Sequence, residues 1–424
     1  MSETIINDTD NIDRTVGGSV FERFFTGRNE ASYVAPKTLF MTANYVNLVA
    51  FETSKGLLMV DTGMEEAGEA VFGEIRKQSD APLHTVVFTH GHLDHAFGLR
   101  PWFEAGEKPR IIAHENVVDR YRTYMKTGPM NSNINRVQFG IEAGVKWPQQ
   151  YGDFFWPDTT YRKELTLHMG GERFELHHAQ GETDDATWVW APERKIVCTG
   201  DLWVGILPNC GNPQKVQRHP EGWADALEAI ASLGAEILLP GHGQPVEGAE
   251  VIRECCSNTA EALRAIVATT LEGLNAGKSH EEILAAVRIP EHLRRFSYLD
   301  PLYDRPEFIA RNVIRKYGGW WDGVSSHVLP APMEDRAKEI AALAGGASAL
   351  IARATELTST DPRLACHLAE WAALAEPDNP KAHQCVIDVF NHRAEDEISL
   401  MGRGILSHAA RKSEKALAQI KEGR

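Results

Sequence analysis

Thr89-His90-Gly91-His92-Leu93-Asp94-His95 decides how this chain is read. Three histidines and an aspartate fall within six residues, directly after the apolar run HTVVFTH at 84–90. Packing does not explain such a density of imidazoles. His90 and His92 alternate onto one side of an extended segment, and Asp94 and His95 follow on the turn, where they can face a second ion. Imidazole with carboxylate is a donor set for zinc, or for iron or manganese.

Outward from that run, similar strand-like stretches end in polar residues: VNLVAF at 46–51, GLLMVDTG at 56–63, RIIAHE at 110–115, RKIVCTGD at 194–201 and AEILLPGHG at 235–243. Buried strands that release polar groups at their C-terminal ends are how a layered α/β fold puts a site on a rigid rim. The stretch 115–150 has no clear periodicity and reads as a lid, an arm or a plain surface excursion. After 250 the pattern turns helical, and from 333 it is almost wholly helix-forming. Thr360-Asp361-Pro362 and Pro377-Asp378-Asn379-Pro380 carry helix stop and start signals. The division expected is a disordered 1–15, a metal-binding domain over 16–250 and a helical domain over 251–424.

Composition narrows the function. With 43% hydrophobic and 24% charged residues the 424-residue chain has the make-up of a soluble globular protein of two domains. Its formal charge of −15 repels phosphate backbones, so nucleic acid is not an expected partner. An anionic substrate needs local basic groups for the same reason. No apolar stretch is long enough to span a bilayer, and the first 20 residues lack a basic n-region and an apolar core. No membrane partner and a cytoplasmic location are expected. The six cysteines form no CxxC pair, which suits free thiols.

The histidine run resembles the metal-binding motif of the metallo-β-lactamase superfamily. That resemblance implies that Asp61, in Asp61-Thr62-Gly63, supports the ligand loop. It implies that Asp201 bridges two metals and that His242, in Gly241-His242-Gly243, closes the second site. The superfamily's usual Gly-His-Thr gives way here to Gly181-Glu182-Thr183, so Glu182 stands where a third histidine ligand is usual. His177 and His178 are the alternative ligands if the frame shifts. With Glu182, the three carboxylates and a bridging hydroxide balance two divalent ions, and the cluster draws anions less than a histidine-rich one.

A glutamate at that position resembles the alkylsulfatase branch, where a second carboxylate follows nineteen residues later. Glu182 and Asp201 are also nineteen apart. Tyr317-Gly318-Gly319-Trp320-Trp321-Asp322-Gly323, then His327 and a Pro-rich turn at 330–332, is similar to a further segment of that branch. HLAEWAALAEPDNPKAHQ and SLMGRGI resemble its dimerisation helices. The resemblance implies an α/β fold, a metallo-β-lactamase αββα sandwich followed by an all-helical dimerisation domain. It implies two zinc ions, iron or manganese being the alternatives, on His90, His92, Asp94, His95, Glu182, Asp201 and His242. Asp94 and Asp201 are then also the catalytic carboxylates. It further implies a homodimer joined through the helices.

The branch's sulfate-contacting arginine falls by spacing near Gln214-Lys215, so Lys215 and Arg218 are the expected substrate-binding residues. The branch's sterol-carrier-like C-terminal domain has no counterpart in the sequence, which directs the expectation to a compact or short-chain ester. The reaction expected is hydrolysis of a small sulfate ester by a metal-bridging hydroxide. A lactone, carboxylic ester or amide hydrolase of the same fold is the alternative. A diiron redox protein is disfavoured by His92, where that class carries glutamate, and a metal-free scaffold by the complete ligand set. His327 is assigned to its turn, and Trp203 and Trp320 either line a pocket or pack in a core.

Overall fold

The computed structural model describes residues 29–140 and 146–423. The stretch 1–15, expected to be disordered, lies outside them. The described residues divide into two compact units, one of 29–128 with 147–318 and one of 129–140 and 146 with 319–423.

The first unit holds two sheets. Strands β1 (Ala31–Ala35), β2 (Thr38–Ala43), β3 (Val46–Thr53), β4 (Gly56–Val60), β5 (Leu83–Val87), β6 (Arg110–His114) and β7 (Thr159–Tyr161) lie side by side in chain order. The second sheet runs β13 (Val246–Glu247), β12 (Ile237–Pro240), β11 (Ile196–Gly200), β10 (Ala186–Ala191), β9 (Glu172–Ala179), β8 (Glu164–Met169). The first four strands are antiparallel neighbours, and β4 through β7 are parallel.

Side-chain alternation explains the layering. Along β3 and β4, Val49, Phe51, Leu58 and Val60 meet Phe174, Leu176, Val189 and Ile196 of the other sheet in a dry central layer. Leu48, Ala50, Leu57 and Met59, one residue out of phase, pack on the opposite face with Val71, Ile75 and Trp102. These last belong to the helices α1 (Gly68–Gln78) and α3 (Arg100–Glu104), between which the short α2 (Leu93–Ala96) carries part of the histidine run. On β10, Val189 and Ala191 turn inward, while Trp188 and Trp190 face the helical cluster of the second sheet. With both faces covered, strands read as continuous apolar runs, as in the sequence. The result is the expected αββα sandwich.

Two elements depart from the sequence reading. Residues 116–139, aperiodic in sequence, form the helix α4 with Pro129 inside it. Its start buries Val117, Tyr121 and Tyr124 in the first unit, and from Pro129 it counts with the second. No single apolar stripe runs its length, which hides the helical period. Second, the change of texture at 250 marks where strands give way to helices; the packing unit runs on to Gly318. Helices α5 (Pro220–Ala231), α6 (Ala249–Asn275), α7 (His280–Ala286) and α8 (Pro306–Tyr317) share one core, through Trp223, Leu263, Ile283 and Ile309.

The second unit continues with α9 (Met333–Ala344), α10 (Ala347–Leu357), α11 (Pro362–Ala375), α12 (Pro380–Glu395) and α13 (Leu400–Lys421). The expected start signals are used. Asp361 accepts from Leu364 N and Asn379 from Lys381 N, each followed by proline at the first helical position. Ala369, Val386, Val389 and Ala410 close its core. No single helix among the described residues is long and apolar enough to cross a membrane.

Candidate metal centre

The C-terminal ends of β4, β5, β11 and β12 converge on one rim, and a polar residue follows each within two positions: Asp61, Thr89, Asp201 and His242. Asp61 leaves β4 with φ +62°, a left-handed conformation that aspartate tolerates better than most residues. Its side chain holds it there. Oδ1 accepts from Thr89 N (2.7 Å), and Oδ2 from Thr89 Oγ1 (2.7 Å) and His95 Nδ1 (2.7 Å).

These bonds set the tautomers. With its hydrogen committed to Asp61, Thr89 Oγ1 can only accept from His90 Nδ1, at 3.1 Å. His242 Nδ1 donates to Tyr45 O at 2.7 Å. His90, His95 and His242 therefore each turn Nε2 to one shared space, whereas His92 turns Nδ1. There His90 Nε2 lies 2.8 Å from His92 Nδ1 and 3.7 Å from Asp201 Oδ2. His92 Nδ1 is 4.0 Å from Glu182 Oε1. On the other side, His95 Nε2 lies 3.3 Å from His242 Nε2, 3.4 Å from Asp201 Oδ1 and 3.7 Å from Asp94 Oδ2. His242 Nε2 stands 3.5 Å from both Asp94 and Asp201.

The donor atoms of His90, His95 and Asp201, and those of Asp94, His95 and His242, each gather within 4.8 Å of one another. Such groups fit divalent ions. Asp201 Oδ1 is buried without a hydrogen bond among the described residues, and a cavity of about 10 Å³ opens between His90, Glu182 and Asp201. Burial pushes His90 down to about 4 and His92 well below the ordinary histidine value, leaving their lone pairs available. His95 resists its own burial because Asp201, Asp94 and Asp61 surround it, and it is held well above that value. Asp201 stays ionised despite burial, through His95, His242 and His90.

Close approach makes glycine necessary at 241 and leaves little room for a side chain at 91. A Cβ on Gly241 would collide with Asp201 Oδ1 and the Gly200 backbone. One on Gly91 would press Arg120, Asp185 and Tyr121. The Asp185 carboxylate accepts from Gly91 N (3.1 Å) and Arg120 Nε (2.7 Å). Asn47 grips the other ligand loop, its Nδ2 donating to Pro240 O and Gly243 O, both at 2.9 Å. Sequence reading missed Asp185, Arg120 and Asn47. The only signal was an acidic pair, Asp184-Asp185, directly after the Glu182 turn.

The remaining expectations fall as follows. His178 stacks on His114, and His177 on Trp188, away from the two ligand groups. Lys215 is half-buried, its Nζ 5.7 Å from the Trp147 ring, and burial pushes it down to about 8 with Asp94 opposing. Arg218 is buried, and burial pushes it down to about 10. Its Nη1 contacts Glu182 Oε1, which also accepts from Asn209 Nδ2 at 2.8 Å. Arg218 Nη1 is thus ion-paired, whereas its Nε makes no hydrogen bond among the described residues. His327 meets Asp322 at 2.6 Å in its turn, Trp203 is buried against Tyr298, and Trp320 is exposed.

Residues 41–242 match the family model of the metallo-beta-lactamase superfamily, and 279–416 that of alkyl sulfatase dimerisation. The chain is 28% identical, over 78% of its length, to a linear primary-alkylsulfatase of a Pseudomonas species. It is 22% identical, over 81% of its length, to an alkyl/aryl-sulfatase of Saccharomyces cerevisiae. It spans 67% and 57% of those two proteins. The solved structure of a stereoselective inverting sec-alkylsulfatase from a Pseudomonas species shares the fold, with a TM-score of 0.81 and 21% identity over 93% of this chain and 66% of that one.

Proposed function

We propose, of a chain whose residues 41–242 match the metallo-beta-lactamase superfamily and 279–416 alkyl sulfatase dimerisation, that it is a metal-dependent hydrolase of sulfate esters. His90, His92 and Glu182 would hold one ion, Asp94, His95 and His242 a second, and Asp201 would serve as a further ligand. Zinc suits this donor set. Bound ions of this kind are Lewis acids that make hydroxide available from water near neutral pH. Water and the ester then give an alcohol and sulfate.

The chain's own residues do the rest. Asp61 and Tyr45 O orient His95 and His242. Arg218 and Lys215 hold the sulfate by charge-assisted hydrogen bonds and offset the charge on the departing group. The observation that carries the sulfate reading is Arg218, a buried guanidinium beside the carboxylate–imidazole cluster whose Nη1 pairs with Glu182 and whose Nε makes no hydrogen bond among the described residues. The test compares Arg218→Ala with the parent on a short alkyl sulfate and a neutral carboxylic ester. A loss of about 2 kcal/mol in transition-state binding is expected on the sulfate ester alone. Equal losses refute the sulfate assignment.

One observation favours the alternative, a neutral ester or lactone hydrolase: Arg218 Nη1 already faces Glu182. The same comparison separates the two. The dimerisation region is assigned to homodimer formation, and a monomer by light scattering at micromolar concentration refutes that.

A further inference from the structure

The loop that carries both proposed sulfate ligands is gripped by one helix. Asp304, just ahead of α8, accepts from Gly211 N and from Arg305 N (2.8 Å). Gly211 presses so closely on the backbone of Phe308 and Ile309 that a Cβ has no room there. Further along, Arg315 donates to Gln217 Oε1 (3.1 Å) and Lys215 O (3.2 Å). Tyr317 OH reaches Glu221 at 2.7 and 2.8 Å.

Asn312 is at the centre of this grip. Its Oδ1 accepts from Arg218 N (3.1 Å), and its Nδ2 donates to Arg218 O (2.9 Å). Gln217 Nε2 (3.1 Å) and Arg315 Nη2 (2.9 Å) converge on the same Oδ1. Asn312 is 4% exposed and Arg218 2%, so water does not replace these bonds. A primary amide is the side-chain group that satisfies one residue's N–H and C=O together, as a neighbouring strand does. It fixes the Arg218 backbone while the guanidinium, Nη1 paired with Glu182 and Nε without a hydrogen bond among the described residues, points toward Glu182. Pre-setting that backbone removes an ordering cost from anion binding.

We propose that Asn312 is a positioning residue for the anion subsite: by clamping both backbone groups of Arg218 it aims the guanidinium at the substrate's sulfate. The region matched by the dimerisation model, 279–416, thus contributes to substrate recognition as well as to assembly. This inference rests on the sulfate reading above.

The test uses full-length, metal-loaded protein with a short primary alkyl sulfate as substrate and inorganic sulfate as competing ligand. Asn312→Leu is expected to raise KM and the sulfate inhibition constant about tenfold, with kcat within about threefold, the pattern of lost ground-state and transition-state binding alike. Metal content stays at the parent value. Asn312→Asp keeps the acceptor for Arg218 N and loses the donor to Arg218 O, so it rescues part of the loss. It also decides the question if the leucine variant does not fold. Unchanged KM and inhibition constant overturn the proposal. A fall in kcat and metal content at constant KM also overturns it, since that is what a purely structural role produces. Arg218→Ala separates the two levels. If it weakens sulfate and neither Asn312 variant does, only the Asn312 inference fails. If it leaves sulfate binding unchanged, the sulfate reading fails and the inference with it.

Discussion

Asp185 and Arg120 form a buried ion pair, Oδ2 to Nε 2.7 Å, and the same carboxylate oxygen accepts the amide of Gly91 at 3.1 Å. The helix α4 is thereby tied to the ligand loop between His90 and His92. The ion pair holds Asp185 below the usual carboxylate range in spite of its burial. Removing one partner of such a pair strands the other charge, and costs more than the pair itself contributes.

Asp185→Asn keeps the shape and removes the charge. We expect it to destabilise the protein by about 3 kcal/mol, the low end for a broken buried pair, because Asp184 also pairs with Arg120. Denaturant unfolding measures that loss, and metal analysis of the purified variant should show depleted ions. A variant with parental stability and full metal content refutes the strut.

Glu182→Gln tests the assigned third ligand. An amide oxygen is a weaker donor for zinc than a carboxylate, so metal occupancy and activity should fall together. If both stay at the parental level, Glu182 serves Arg218 and Asn209 rather than an ion.

The histidines predict a pH dependence of metal binding. His95 and His242, though buried, hold their protons above the ordinary histidine value because Asp201 and Asp94 face them both. An incoming ion must displace those protons, so affinity should climb as pH rises from about 6.5 and level off once both are neutral. Stability of the metal-free protein runs the other way. A raised folded-state pKa contributes stability that is complete below the unfolded value and is lost as pH climbs through the folded one. Chelator-competition titrations from pH 6 to 9, with unfolding curves of the metal-free protein over the same range, check both signs. Affinity flat across the range contradicts the assignment of His95 and His242 as ligands.

Lys215 predicts a second limb. Burial brings its ammonium down to about 8, so above that pH it loses the charge proposed to hold the sulfate. KM for an alkyl sulfate should rise above pH 8, and Lys215→Arg should move that rise beyond the accessible range, since arginine keeps its charge. A rise that persists unchanged in the arginine variant belongs to another group.

Much of this was legible in the sequence, because local patterns suffice for it. The two-sided burial of β3, β4 and β10 follows from continuous apolar runs. The helix starts at Asp361 and Asn379 follow from capping residues that act within one turn. His90, His92, Asp94 and His95 are brought together by a single loop whose spacing is itself the geometry. The order Asp61, Asp201, His242 could be read because each closes a recognisable strand.

What the sequence did not disclose depends on contacts that no local pattern records. Gly91 meets Asp185 across 94 positions, and Arg218 meets Asn312 across another 94. A buried carboxylate and a buried amide look in sequence like the solvated ones that outnumber them. The helix over 116–139 shows no amphipathic period, since no single stripe is buried along its length. Chain chemistry thus determined which groups can bind ions. Which tautomer each histidine presents, which backbone each carboxylate steadies, and where the buried Arg218 guanidinium points were decided by tertiary packing. Packing alone removes the water that would otherwise satisfy those groups, and so makes the choice of partner count.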